Sequence, residues 1–360
     1  LREYFSSLRE YFSSLRKYSS SFREYLRLFW NALKMFAFEL SVKLTSKCFY
    51  SIREEVLVMK IVIAGGTGFV GSALIKLLQD NGHDVFVLTR HHSRLENGIH
   101  YVQWLQQHEQ PLPFLEGADA FVNLAGVSLN DGRWTKKQKK AIYWSRMNAT
   151  LELVKIMDLL TSKPKVLINA SAVGIYPTST EAVYHEDFMD YAHDFLGTTV
   201  HDWERHAKRA ESLGIRVAFA RFGVILGRNS GALPPMLLPY QMYIGGTIGS
   251  GEQWLSWVHI DDVVRAIYFA IINENIRGPF NVTAPNAMRM KEFGQTIAEV
   301  MGRRHWIPVP SFAMRLALGE QSSLVLEGQH VLPTVLQQHH FTFKYPVLKQ
   351  ALEDLLKAQN

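Results

Sequence analysis

Between residues 59 and 90 the spacing of apolar positions changes twice. Residues 60–64 read KIVIA, a short continuous apolar run of strand length. Ala73, Leu74, Leu77 and Leu78 then recur at helical spacing, and Asn81-Gly82 supplies a helix-ending pair. Residues 84–89 return to a strand pattern. Further strand-like runs fall near 99–102, 119–124, 165–171, 215–221 and 279–283, with helical patterns between most of them. Strands alternating with helices predict an α/β fold built on a doubly wound parallel sheet of Rossmann type.

The first residues follow another rhythm. LREYFSS, LREYFSS, LRKYSSS and FREYLRL are four tandem seven-residue units, with Leu1, Leu8, Leu15 and Phe22 in one column and Tyr4, Tyr11, Tyr18 and Tyr25 in another. On a helix these positions form one stripe, which suits a short coiled coil or a basic helix on a membrane surface. A translated DNA repeat without selected structure is the blander reading, and the one adopted. The chain begins with Leu, and Met59 directly precedes the first strand. We therefore read 1–58 as an extension. Residues 26–44 are apolar but carry Lys34 and Glu39, which makes a poor membrane span. No small-residue cleavage site closes a signal-peptide pattern.

The 360 residues are enough for two domains, or for one large α/β domain with a smaller lobe. At 47% hydrophobic and 20% charged, the chain is too apolar for wholesale disorder. Its one cysteine, Cys48, excludes a disulfide scaffold and a cysteine zinc site, and suits a cytoplasmic location. The formal charge of +6 is concentrated: 10 Lys/Arg face 6 Asp/Glu in residues 1–58, against 29 and 27 in the rest. The body thus lacks the basic footprint of a nucleic-acid binder. A small molecule is the expected partner, with no membrane span.

The first strand leads into Gly65-Gly66-Thr67-Gly68-Phe69-Val70-Gly71. Strand, glycine loop, helix and strand in this order form the setting in which such a loop binds a dinucleotide. Gly65 allows the tight turn, Gly68 lets the backbone approach a pyrophosphate, and Gly71 lets the helix pack closely. The helix N-terminus supplies N–H donors and partial positive charge for phosphates. Strand two ends Leu88-Thr89-Arg90, with no acid to hold a ribose 2′-hydroxyl. A guanidinium at Arg90 suits a 2′-phosphate instead, with His91, His92 and Arg94 as nearby donors, so the expected cofactor is NADP(H).

From residue 59 to about 355 the sequence resembles the extended short-chain dehydrogenase/reductases, and most of all their atypical "epimerase family" subgroup. The glycine loop, Asn123-Leu124-Ala125-Gly126, Arg133-Trp134-Thr135, Ser171 to Tyr176, Arg221 to Gly227, Gly249-Ser250-Gly251, Trp257 to Asp262 and Gly278 to Val282 carry the likeness in the right order. The resemblance implies that Leu124, Ala125 and Gly126 pass the adenine ribose and pyrophosphate. It also implies that Phe222, Gly223 and Val224 lie near the nicotinamide. Residues 59–227, completed by 257–285, would form the NADP-binding domain, and 228–256 with 286–355 the substrate lobe.

Two departures stand against that likeness. The family's Tyr-x-x-x-Lys dyad, registered on Glu204, falls on Leu196 and Val200, neither of which transfers protons. Tyr345 and Lys349 match by spacing alone. The arginine that binds the diphosphate of nucleotide-sugar substrates is replaced by Leu255. The resemblance leaves Ser171, at the carboxyl end of strand five, to hydrogen-bond a substrate carbonyl or hydroxyl. Tyr176 remains as a substrate contact or displaced acid, with Arg133, Arg146 or Arg221 as its cationic neighbour. Capping for Ser171 and packing for Tyr176 are the alternatives. Lys136, Lys137, Lys139 and Lys140 read as a solvated helix face. Asp261 and Asp262 read as helix N-terminal acids. Trp254, Trp257 and Tyr243 line a pocket or fill core. The histidine pairs lack metal-site spacing, and no metal is expected. Three functions remain: an NADP(H)-dependent oxidoreductase on a small carbonyl or hydroxyl compound, a non-catalytic NADP(H) sensor, and a nucleotide-sugar epimerase.

Overall fold

The computed structural model describes residues 58–106 and 111–357. The repeats, Cys48 and the expected role of the extension lie outside the described residues. In chain order the elements are β1 (Lys60–Ala64), α1 (Phe69–Asp80), β2 (Asp84–Thr89), β3 (Arg94–Glu96), β4 (Ile99–Gln103), β5 (Ala120–Asn123) and α2 (Lys136–Leu159). There follow β6 (Val166–Ala172), β7 (Val183–Tyr184), α3 (Phe195–Ala207), β8 (Arg216–Phe222), β9 (Val224–Leu226), α4 (Leu233–Gln241), β10 (Trp254–Leu255) and β11 (Trp257–His259). The rest are α5 (Ile260–Ile272), β12 (Gly278–Val282), β13 (Met288–Arg289), α6 (Met290–Met301), α7 (Ser311–Leu318), β14 (His330–Val331) and α8 (Leu348–Leu356). Shorter helical turns are left unnumbered.

Seven parallel strands run in the order β4-β2-β1-β5-β6-β8-β12. They coincide with the seven apolar runs. Alternate residues of one strand serve opposite faces. Ile61 and Ile63 join Leu74 and Leu78 of α1 and Val263 and Ile267 of α5. Val62 and Ala64 join Leu153 and Ile156 of α2 on the other face. Each such aliphatic side chain contributes about 1.5–3 kcal/mol by leaving water. This two-sided burial explains why the strands read as continuous apolar runs.

The eighth strand of this sheet, β3, was not expected. It pairs antiparallel with β4 across a turn at Asn97 (φ 52°) and Gly98 (φ 73°). Two successive left-handed residues make the tight hairpin turn that Asn-Gly favours. Beyond the sheet, Leu233, Leu237 and Tyr240 of α4 pack with Phe293 and Ile297 of α6 and Leu352 of α8 in a separate apolar cluster. Trp257 is fully buried in that cluster, so it fills core.

The N-terminal acids of α5 do more than complement its dipole. The His259 side chain caps that helix by accepting from Asp261 N. Asp262, fully buried, accepts from the backbone N–H of Lys344 at 2.7 Å and Tyr345 at 2.8 Å and pairs with Arg265. It thereby ties the C-terminal segment to the start of α5. Among the described residues, no helix is long and apolar enough to cross a membrane.

Candidate active site

The strand order reverses between β1 and β5, and the glycine loop sits at that reversal. Gly65 has φ +82°, and a Cβ there would lie 2.6 Å from Leu124 C and O. Gly71 is buried, and its Cβ would meet Gly65 O at 2.4 Å and Gly66 Cα at 2.6 Å. Both approaches leave room for hydrogen alone. Gly68 is the N-cap residue of α1, where no side chain caps the helix and no acid occupies the first turn. By contrast, Thr135, Asp194 and His259 cap α2, α3 and α5 with side-chain acceptors. The opening N–H groups of α1 therefore keep their donor capacity. Thr67 and Gly68 are exposed, and Phe69 and Val70 half-buried. The Phe69 ring lies against Gly227 and Gly231, joining this loop to the turn after β9.

At the end of β2, Thr89 is buried and Arg90, His91 and His92 are exposed. Arg94 does not join them. It lies in β3, bonded to Glu96 at 2.8 Å and stacked on Tyr101. After β5, Leu124 and Ala125 are half-buried and Gly126 is exposed. Asn123 anchors this turn from inside, bonding Thr150 and Asn169 through its amide nitrogen and Ala125 N through its oxygen.

Ser171, Tyr176, Glu204, Arg221 and Asn281 meet at the carboxyl ends of β6, β8 and β12. The Ser171 hydroxyl donates to Glu204 Oε1 at 2.5 Å. Arg221 grips both oxygens of Glu204, at 2.8 and 2.9 Å. The same guanidinium donates to the Tyr176 hydroxyl at 2.8 Å, which in turn donates to Asn281 Oδ1 at 2.8 Å. Tyr176 is wholly buried, and burial holds its pKa above the ordinary 10 although Arg221 opposes the shift. The cationic neighbour of Tyr176 is thus Arg221. Arg133 instead donates to Leu316 O and Ala317 O, and Arg146 to Val127 O and Ile142 O. Burial pulls the Arg221 pKa down, but Glu204 more than offsets this and holds the guanidinium charged.

This geometry revises the expectation for Tyr176. Its hydroxyl accepts from Arg221, donates to Asn281 and has no solvent exposure, an arrangement that favours the packing alternative over the displaced acid. Ser171 is 2% exposed with its proton committed to Glu204. Its lone pairs remain, so it is set to accept from a hydroxyl before it donates to a carbonyl. Phe222 pairs in register with Ala172, and Gly223 N and Val224 N donate to Val282 O and Ser256 O. A Cβ on Gly223 would lie 2.3 Å from Ser256 O, so the chain turns from β8 to β9 only without a side chain.

Val200 packs with Val173, Tyr176, Tyr184 and Val331, and Leu196 lies beside Gly174. The Tyr345 ring lies tilted against His259, with centroids 4.0 Å apart, and Lys349 pairs with Glu299 at 2.7 Å on the outer surface, so the two side chains are engaged apart from each other. Leu255 is buried in the apolar cluster of α4, α6 and α8. Trp254 is sandwiched between His330 and Arg289, and Tyr243 is exposed. Lys136, Lys137 and Lys140 are exposed after the Thr135 cap, whereas Lys139 bonds Glu320. No cluster of three His, Cys, Asp or Glu suited to a metal occurs among the described residues.

A parallel sheet whose order reverses beside a glycine loop and an uncapped helix defines a dinucleotide-binding protein of the Rossmann type. The model of the NAD dependent epimerase/dehydratase family matches residues 61–283, and that of a domain of unknown function, DUF1731, matches 309–355. The chain belongs to the NAD dependent epimerase/dehydratase family, and within the short-chain dehydrogenase/reductases it groups with the atypical extended members. It is 48% identical over 299 residues to the epimerase family protein YfhF of Bacillus subtilis, covering 83% of this chain and 98% of that protein. Human epimerase family protein SDR39U1, solved with NADPH, superposes with TM-score 0.74 at 32% identity, over 82% of this chain and 99% of that one. MoeE5, solved with UDP-glucose and NAD, shares the fold at TM-score 0.67 and 18% identity, over 82% and 97% of the two chains.

Proposed function

We propose that this protein is an NADP(H)-dependent oxidoreductase acting on a small carbonyl or hydroxyl compound. One observation carries the choice of cofactor: β2 is followed directly by exposed Arg90, with no acid in sequence there, at the same carboxyl edge where the uncapped glycine-loop helix begins. Gly65 and Gly71 let the loop pack directly on the Leu124 backbone and on itself, which leaves the uncapped start of α1 open to a dinucleotide pyrophosphate. The human relative solved with NADPH agrees with this choice. Gly65 to Gly71 would hold the pyrophosphate, Arg90 the 2′-phosphate, Leu124 to Gly126 the ribose side, and Phe222 to Val224 the nicotinamide end.

NADPH, when bound, supplies a hydride. Ser171, held by Glu204 and Arg221, would accept from the hydroxyl of an alcohol substrate, and it would orient a carbonyl oxygen by turning its own proton from Glu204 to that oxygen. Tyr176 moves no proton, and Leu196 and Val200 have none to give. The proton on the substrate oxygen therefore exchanges with water. Side-chain proton delivery is typically worth about 10²–10⁴ in rate, so turnover is slow. Leu255, buried and uncharged, offers a nucleotide-sugar diphosphate nothing.

The saturated hydrogen-bond network favours a second reading, an NADP(H) sensor without turnover. The two separate in one experiment. Protein saturated with NADPH is incubated with aldehydes, ketones and 2-oxo acids, then denatured, and the released NADPH and NADP+ are assayed. Conversion with any compound supports the oxidoreductase, and unchanged NADPH throughout supports the sensor.

A further inference from the structure

Arg146 stands out among the cations near the site. It lies in α2 with its guanidinium against the loop that follows β5, where a Cβ on Gly126 would come 3.0 Å from Cζ. Its Nη1 donates to Val127 O at 3.1 Å and Ile142 O at 2.9 Å, which orients the guanidinium. Ser145, next to it, accepts from Val127 N at 3.0 Å. One face of the guanidinium lies over the Trp203 ring, 5.1 Å from its centre.

No carboxylate among the described residues lies within ion-pair distance of Arg146. Asp202, on the facing helix, is engaged by Arg205 and Tyr143. Nε and Nη2 make no hydrogen bond among the described residues, yet neither is sealed from solvent as Arg303 Nε is. Burial without a compensating acid pulls the pKa down to about 10. A half-buried guanidinium is costly to leave uncompensated. The contrast with Arg221, gripped by Glu204, is direct.

We propose that Arg146 is an anion-binding residue of the active site, its two remaining donors taking a carboxylate or phosphate oxygen of the bound ligand. The inference rests on the reading of this crevice as a dinucleotide and substrate site, and it narrows the substrate class. If the oxygen belongs to the substrate, the carbonyl compound is an acid. If it belongs to the dinucleotide, Arg146 adds a phosphate contact beyond the glycine loop.

The test uses the full chain, Arg146→Gln and Arg146→Lys. Both variants lose the guanidinium bonds to Val127 O in the loop and Ile142 O in α2, so both should melt lower, which reads the clamp of the loop onto the helix. Ligand binding reads the charge. One arm titrates NADPH. The other titrates protein saturated with NADP+ using inorganic phosphate, 2-oxobutyrate, and neutral 2-butanone. Arg146→Gln should weaken NADPH, or else phosphate and 2-oxobutyrate, by roughly 10- to 100-fold. Arg146→Lys, which keeps the charge, should lose markedly less, and 2-butanone should not respond. Binding within about two-fold of wild type in every arm, against that 10-fold expectation, reduces Arg146 to a loop clamp and overturns the proposal. Equal weakening of charged and neutral probes does the same. Wild-type protein that binds no dinucleotide would overturn the proposed function instead, and phosphate titrated without nucleotide would then still decide Arg146.

Discussion

The two halves of the sheet's carboxyl edge are built on opposite principles. At β1, β2 and β5 the polar capacity faces outward: the α1 N-terminus lacks a cap, Arg90 is exposed, and Gly65 and Gly71 keep side chains out. At β6, β8 and β12 it is turned inward, with Ser171, Glu204, Arg221, Tyr176 and Asn281 bonded to one another. An edge with unsatisfied donors asks for a ligand. An edge that satisfies itself needs none to be stable. Family membership alone predicts chemistry throughout the second edge, but its geometry turns Tyr176 and Asn281 into a brace between sheet and C-terminal segment and leaves Ser171 as the edge's one candidate substrate contact. Asn281 extends that brace, donating to Leu332 O and, through its N–H, to Glu186.

The inward edge should fail hardest when its charge pairing is broken. Glu204→Ala leaves Arg221 buried without its acid, and such a loss typically costs about 3–5 kcal/mol. Chemical denaturation should show this, while the surviving folded protein keeps its NADPH affinity. A stability change too small to measure would mean that water replaces Glu204 and that the edge is open after all.

The outward edge should fail differently. Gly71→Ala places a methyl against Gly65 O and Gly66 Cα, both backbone atoms that cannot swing aside. Overpacking of this kind costs about 1–3 kcal/mol, and the distorted loop should lose NADPH. Here calorimetry should show a far greater effect on binding than Glu204→Ala does. Full affinity in the alanine variant would separate the loop from the cofactor.

Acid should act on neither edge first. Burial holds His83 and His259 below their ordinary value near 6.5, although Asp119 beside His83 and Asp261, Asp354 and Asp262 beside His259 oppose the shift. Lys344 works with burial at His259. The unfolded chain takes up these protons first. Their contribution to stability is therefore complete above pH 6.5 and declines as pH falls through the window below it, by about 1.4 kcal/mol per unit of displacement at each site. Melting temperature should fall between pH 7.5 and 5.5, and less steeply in His259→Asn. An unchanged slope in that variant would remove His259 from the effect.

The outward edge was legible because its demands are local. A glycine loop after an apolar strand, and Arg90 where an acid would stand, each lie within one βαβ unit. The seven parallel strands were legible for a similar reason, since burial on both faces leaves continuous apolar runs. The inward edge joins residues from 171 to 281, and no spacing rule connects Ser171 to Glu204 or Tyr176 to Asn281. Asp262 looked like a helix-end acid because its partners, the backbone of Lys344 and Tyr345, lie 82 and 83 residues away. Strand β3 is a different lesson: Asn97-Gly98 signals a hairpin, but Arg94–Glu96 is too short and too polar to read as a strand.

Cofactor selection at Arg90 is the point on which the contrast between the edges depends. Calorimetric titration of wild type and Arg90→Glu with NADPH and NADH tests it directly. Wild type should bind NADPH the more tightly. The variant should lose about 1–3 kcal/mol toward NADPH, as expected for a charge-assisted contact, and hold NADH as well or better, since glutamate accepts from ribose hydroxyls. Equal NADPH affinities in the two proteins would contradict the assignment and take Arg90 out of the site.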